Sequence, residues 1–95
     1  FARALPMNTG AEAVETAIKC ARRWGHRVKG IADGHQQILV ARGNFHGRTS
    51  TIIGFSSEPS YREGFGPFCG GFRHFDYGDM DSLRAAATDD TCAVL

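Results

Sequence analysis

Apolar residues recur at three- and four-residue intervals through residues 9–24. Val14, Ala17, Ile18, Ala21 and Trp24 fall on one helical face, and Glu12, Glu15, Lys19, Arg22 and Arg23 on the other. Thr9 with Glu12 three positions on forms a capping-box pattern, which predicts a helix beginning at Gly10. Gly25 is the expected stop, and Glu15 stands four residues before Lys19, the favourable order for an ion pair. Residues 26–37 are polar, carry Gly30 and Gly34, and read as a loop. Residues 38–42 form an apolar run of strand length. The turn Gly43–Gly47 leads to a second helical stretch near residues 49–55, and residues 56–71, rich in glycine and proline, read as a long irregular loop. A strand over 72–76 follows, then a helix capped by Asp79 or Asp81 and running through Ala87. Ala93-Val94-Leu95 opens another strand.

The order helix, strand, helix, strand, helix, strand predicts an α/β fold with a mostly parallel sheet and flanking helices. Residues 1–95 read as one partial domain. The start at Phe1-Ala2-Arg3 and the end inside the apolar run Cys92–Leu95 suggest cuts at both termini. Six of the seven phenylalanines lie between residues 45 and 75, more aromatic surface than three strands can cover. The isolated chain is therefore expected to be unstable.

Composition removes several function classes. Hydrophobic residues at 42% and charged residues at 22% fit a globular protein rather than a disordered one. The net charge is +1 and the nine arginines and two lysines are scattered, so no nucleic-acid partner is implied. No apolar run approaches the roughly 18 residues of a membrane span. Three unpaired cysteines, Cys20, Cys69 and Cys92, fit a reducing, cytoplasmic setting better than a disulfide framework. The four histidines show no metal-ligand spacing.

Two segments carry candidate chemistry. At Asn8-Thr9-Gly10-Ala11-Glu12-Ala13 a helix start aims unpaired N–H groups and the positive end of its dipole outward, which suits an anion. Gly10 lets a phosphate approach the backbone, and Ala11 adds little bulk. An ordinary capped helix would carry the same pattern. At Gly43-Asn44-Phe45-His46-Gly47-Arg48-Thr49 a strand gives way to a helix, the place where parallel sheets gather ligands. Phe45 offers an aromatic face to a planar ring, and Arg48 offers a two-pronged contact to a carboxylate. A core Phe, a surface Arg and a solvated His46 would equally satisfy the pattern. The glycine spacing does not match a Walker A loop, since three residues intervene and Arg48 stands in place of lysine.

Together the motifs are more specific than any one of them. Met-Asn-Thr-Gly-Ala-Glu-Ala (7–13), Asn-Phe-His-Gly-Arg-Thr (44–49) and Tyr-x-x-Gly-Phe-Gly-Pro (61–67), in that order, resemble the subgroup (class) III pyridoxal 5'-phosphate (PLP) aminotransferases along essentially the whole chain. Trp24-Gly25 followed by Val28-Lys29-Gly30-Ile31 is more similar to the ornithine branch than to the acetylornithine branch. The blocks at 45–49 and 89–94 occur in both. The resemblance implies part of the large domain of a fold-type I enzyme, working as a homodimer on amino-acid and 2-oxo-acid substrates, with ornithine as donor of its δ-amino group and 2-oxoglutarate as acceptor. It also implies roles. Thr9, Gly10 and Ala11 would bind the cofactor phosphate, Phe45 would stack on the pyridine ring, and Arg48 would meet a substrate carboxylate.

The family's Schiff-base lysine and the acidic partner of the ring nitrogen lie downstream of the matched region. Lys19 and Lys29, the only lysines, match neither. The chain alone is thus expected to be inactive. Acetylornithine aminotransferase and a non-catalytic remnant are the competing readings.

Overall fold

A computed structural model describes residues 1–95. Helix α1 spans Gly10–Arg27, and Thr9 in extended conformation accepts a hydrogen bond from the Glu12 N–H at 3.1 Å. The helix does not stop at Gly25. It runs one further half-turn and closes with the Val28 N–H on the Trp24 carbonyl. Gly25 is buried because the helix meets the sheet there: a Cβ on it would lie 2.7 Å from Cys92 Cβ and 3.3 Å from Ile31 Cδ1. Its role is close approach rather than chain reversal, and the left-handed turn falls at Gly30 (φ 80°).

The same contact corrects the predicted face. The buried stripe is Ala11, Val14, Ile18, Ala21 and Gly25, whereas Ala17 is exposed and Trp24 is 48% exposed. Small residues at 11, 21 and 25 let the helix axis approach the strands, and the bulkier Trp24 is turned to the flank. The predicted Glu15–Lys19 pair is also absent, because Glu15 engages Thr49 instead.

Strands β1 (Gln37–Ala41), β2 (Phe72–Phe75) and β3 (Thr91–Val94) form one sheet in the order β2-β1-β3, with both pairings parallel. Ile38 pairs with Phe72 on one side and Ala93 on the other, with an irregularity between Gln37 and Ile38. As the central parallel strand, β1 is buried on both faces. Ile38 and Val40 join Ile18, Ile52 and Phe55 in the core cluster, while the alternating Leu39 is 1% exposed outside that cluster.

Helix α2 (Ser50–Gly54) is capped by Thr49 and buries Ile52 and Ile53. The segment after it is irregular apart from one 3-10 turn at Pro59–Tyr61. Helix α3 (Met80–Ala86) is capped by Asp79, whose Oδ1 accepts from Asp81 N and Ser82 N at 2.9 and 3.0 Å, so Asp81 lies inside the helix. Only 12 of 95 residues are buried, and Trp24, Phe45, Phe65, Tyr77 and Met80 stay exposed, which makes the core small for the chain length.

Candidate functional site

The turn Gly43–Thr49 leaves the carboxyl end of β1 and is fastened at several points. Asn44 Nδ2 donates to the Ala41 carbonyl at 2.7 Å, and the Gly43 N–H donates to Ser57 Oγ at 2.8 Å. Farther along, Gly47 adopts φ 123° and rests on the first turn of α1: a Cβ there would sit 3.1 Å from Ala11 Cβ. The helix start and the turn thereby border one shallow, open cleft of ≈ 340 Å³, lined by Gly10, Ala11, Val14, Phe45, His46 and Gly47.

One wall of this cleft is polar by virtue of backbone alone. The Gly10 and Ala11 N–H groups have no acceptor in the protein, because Thr9 serves Glu12 N through its hydroxyl and Ala13 N through its carbonyl. Chain neighbours and the helix's own backbone apart, no atom lies within 4 Å of the position a Gly10 Cβ would take, so the helix start is uncovered on that side. Phe45, 63% exposed, also lines the cleft. His46 tilts against Phe55 at 6.1 Å between ring centroids and is half-buried.

Gly10, Ala11 and Phe45 thus meet at one cleft, while two other candidate residues stand beside it. Thr9 caps the helix without lining the cleft. Arg48 lines an adjoining recess of ≈ 240 Å³ with Ser50, Ile53, Ser60, Tyr61 and Phe65. Its guanidinium carbon stacks 4.3 Å over the Tyr61 ring and 5.7 Å from the Phe45 ring, and those two rings meet edge-on at 6.1 Å. Lys29 Nζ donates to the Thr91 carbonyl at 2.7 Å, Lys19 is exposed on α1, and neither lines the cleft.

Sequence reasoning missed three residues that shape this region: Glu15, Asn44 and Tyr61. Asn44 carried a legible signal, since an Asn following Gly after a strand favours a side-chain-to-backbone turn. Glu15 and Tyr61 carried none, because their partners are distant in sequence. A larger cleft of ≈ 680 Å³ near the end of α1 collects Arg22, Arg23, His26 and Arg27. Cations there complement the negative end of the helix dipole, so the cluster needs no ligand to explain it. No group of three or more His, Cys, Asp or Glu side chains is placed to hold a metal.

A family model described as aminotransferase class-III matches residues 2–95. The chain belongs to the class-III aminotransferases. Members of this family use PLP, a planar ring carrying a phosphate, and the chemistry of the cleft lining suits such a group: unpaired N–H groups for an anion and an aromatic side chain for a ring. Among similar class-III proteins, ornithine aminotransferase 2 of Staphylococcus aureus is 56% identical over 93 residues, 98% of this chain but 24% of that protein. Ornithine aminotransferase of Macrococcus caseolyticus is 54% identical over 91 residues, covering 96% of this chain and 23% of that protein. The chain therefore spans about a quarter of these relatives' length. Solved structures agree on the fold. Toxoplasma gondii ornithine aminotransferase superposes with TM-score 0.89 at 39% identity, covering 93% of this chain and 21% of that one. Acetylornithine aminotransferase of Elizabethkingia anophelis gives 0.65 at 46% identity, covering 95% and 21%.

Proposed function

We propose that this chain is the phosphate cup and ring wall of an ornithine aminotransferase, transferring the δ-amino group of ornithine to 2-oxoglutarate. One observation carries the reading: the N–H groups of Gly10 and Ala11 and the Phe45 side chain border the same small cleft. The Gly10 and Ala11 N–H groups bind the cofactor phosphate, with the helix dipole adding to their hydrogen bonds. Thr9 holds that helix start in register. Phe45 covers one face of the ring and keeps water from it. Arg48 receives a substrate carboxylate in a bidentate contact, its plane held by Tyr61. When bound, PLP supplies the electron sink that amino-group transfer requires.

The segment provides no lysine and no carboxylate at the cleft wall, so the 95-residue chain alone is inactive. The identities of 53–56% to proteins named ornithine aminotransferase favour ornithine as donor. The 46% identity to an acetylornithine aminotransferase keeps acetylornithine as the second reading. The exposed apolar side chains support burial against further protein, in the homodimer expected of the working enzyme. Three free cysteines fit a cytoplasmic setting, and no helix is long and apolar enough to cross a membrane.

The test is PLP binding to the protein expressed from its complete reading frame. Gly10→Glu, at a position where an added side chain meets no neighbour, sets a carboxylate against the anion position and is expected to abolish PLP binding with the fold intact by circular dichroism. Undiminished PLP affinity in that variant would overturn the cup. Turnover of acetylornithine in preference to ornithine would move the substrate assignment to the second reading.

A further inference from the structure

The Thr49 hydroxyl does two jobs at once. It accepts from the Ile52 N–H at 3.3 Å, capping α2, and it donates to Glu15 Oε1 on α1. Glu15 follows Ala11 by four residues, so both stand on the same side of α1, one turn apart. Thr49 follows Gly47 by two residues, and Gly47 rests on Ala11. The turn is thus laid along α1 through two contacts, Gly47 on Ala11 and Thr49 on Glu15. Phe45 projects two residues before the first of them.

Glu15 has reason to be elsewhere. Lys19 stands at the spacing of a helical ion pair, yet no Glu15–Lys19 pair forms and the Glu15 side chain is half-buried toward Thr49. A hydroxyl donating to a carboxylate is stronger than a neutral pair, and partial burial strengthens it further.

We infer that Glu15 and Thr49 are positioning residues whose hydrogen bond sets the separation between the N–H groups of Gly10 and Ala11 and the ring of Phe45. The inference rests on the phosphate-cup reading above and assigns the spacing of that cup to a bond outside it. Neither residue lines the cleft, so neither touches the cofactor. Losing the bond leaves the turn tied to β1 through Asn44 and Gly43 but laid on α1 only through Gly47 on Ala11, so the aromatic wall no longer lies at one fixed distance from the anion-binding wall.

The test compares Glu15→Ala, Glu15→Gln and Thr49→Ser in the complete protein. Glu15→Ala removes the bond and keeps the α2 cap. Glu15→Gln keeps an acceptor oxygen, and Thr49→Ser keeps the hydroxyl. Two ligands are titrated, PLP and inorganic phosphate, with thermal midpoints as the control for stability. Glu15→Ala is expected to weaken PLP by about tenfold or more, the loss of one hydrogen bond to a charged group, while phosphate changes less than threefold because it needs only one wall. Glu15→Gln and Thr49→Ser are expected to restore PLP to within about threefold of the wild type. Equal losses for both ligands, or unchanged PLP affinity in Glu15→Ala, overturn the positioning role while leaving the cup standing. A wild-type protein that binds neither ligand removes the cup, and the positioning role with it.

Discussion

The Arg48 guanidinium carbon lies 4.3 Å from the centroid of the Tyr61 ring, stacked rather than extended toward open solvent. Phe45 meets the same ring edge-on, so Tyr61 fixes two of the residues assigned to the cofactor and substrate. Replacing Tyr61 with Ala is expected to raise KM for the carboxylate substrate about tenfold, in line with a partly desolvated cation–π contact of about 1–2 kcal/mol. Tyr61→Phe retains the ring and is expected to change KM less than about twofold. Steady-state kinetics on the complete protein distinguish the two. A purely structural Tyr61 would lower thermal stability in both variants without moving KM.

Gly47 combines a left-handed φ of 123° with 3.1 Å between a prospective Cβ and Ala11 Cβ, and 3.2 Å to Ile52 Cδ1. Gly47→Ala is expected to lift the turn off α1 and to cost about 1–3 kcal/mol of stability through strain and overpacking. Loss of PLP affinity should accompany the drop in thermal midpoint. A variant with wild-type affinity would show that the cleft tolerates a displaced turn.

Gly25→Ala is the corresponding test of the helix–sheet contact. The added Cβ would come within 2.7 Å of Cys92 Cβ, an approach that backbone must relieve. A destabilisation of about 2 kcal/mol is expected, within the range for overpacked cores, read from denaturant midpoints. A neutral or stabilised variant, as for an exposed helical glycine, would place α1 farther from β3.

Much of this architecture could be read locally, and the residues that could not share one property. Thr9 and Asp79 announce helix starts because a cap acts on N–H groups two or three positions away. The parallel sheet follows from the alternation of elements, and apart from the end of α1, which runs on to Arg27, the predicted boundaries lie within two residues of the observed ones. Gly25 does not end the helix, and the partner that decides its burial, Cys92, is 67 positions away. Glu15 offered a plausible local partner in Lys19 and took a distant one in Thr49 instead. Gly10, Ala11 and Phe45, singled out by helix-end and strand-end chemistry, line one cleft, and their proposed roles rest on that placement. The stacking of Arg48 on Tyr61 depends on how an irregular loop folds back, which periodicity does not encode.

Cys92 lies beneath α1, with its thiol donating to the Gln37 carbonyl at 3.3 Å. Burial pushes this thiol above its ordinary value of 9.0, opposed by its backbone hydrogen bond and by the nearby Arg22 and Lys29 charges. The folded form therefore holds its proton at a pH where the unfolded form has released it. The contribution to stability is intact below about pH 9 and is lost as pH rises through the folded value. Iodoacetamide at pH 8 is expected to label the exposed Cys20 and Cys69 before Cys92. Equal labelling of all three, by peptide mass, would place Cys92 at the surface.

With 12 of 95 residues buried, the chain by itself has little apolar area to offset its ordering entropy. The isolated 95-residue polypeptide is expected to melt without a sharp transition and to bind a hydrophobic dye. A cooperative calorimetric transition of a monomer would contradict this.

All three strands point the same way, and Leu95, hydrogen-bonded through its N–H to the Leu39 carbonyl, already borders Ala41, Gly43, Asn44, His46 and Tyr77 in a recess of ≈ 390 Å³. In a longer polypeptide, a segment succeeding Leu95 would issue alongside the Phe45 turn, beside the cleft at the start of α1. Strand polarity thus acts as a delivery rule: segments far apart in sequence arrive at a common rim, and nearness along the chain ceases to measure nearness to the cleft.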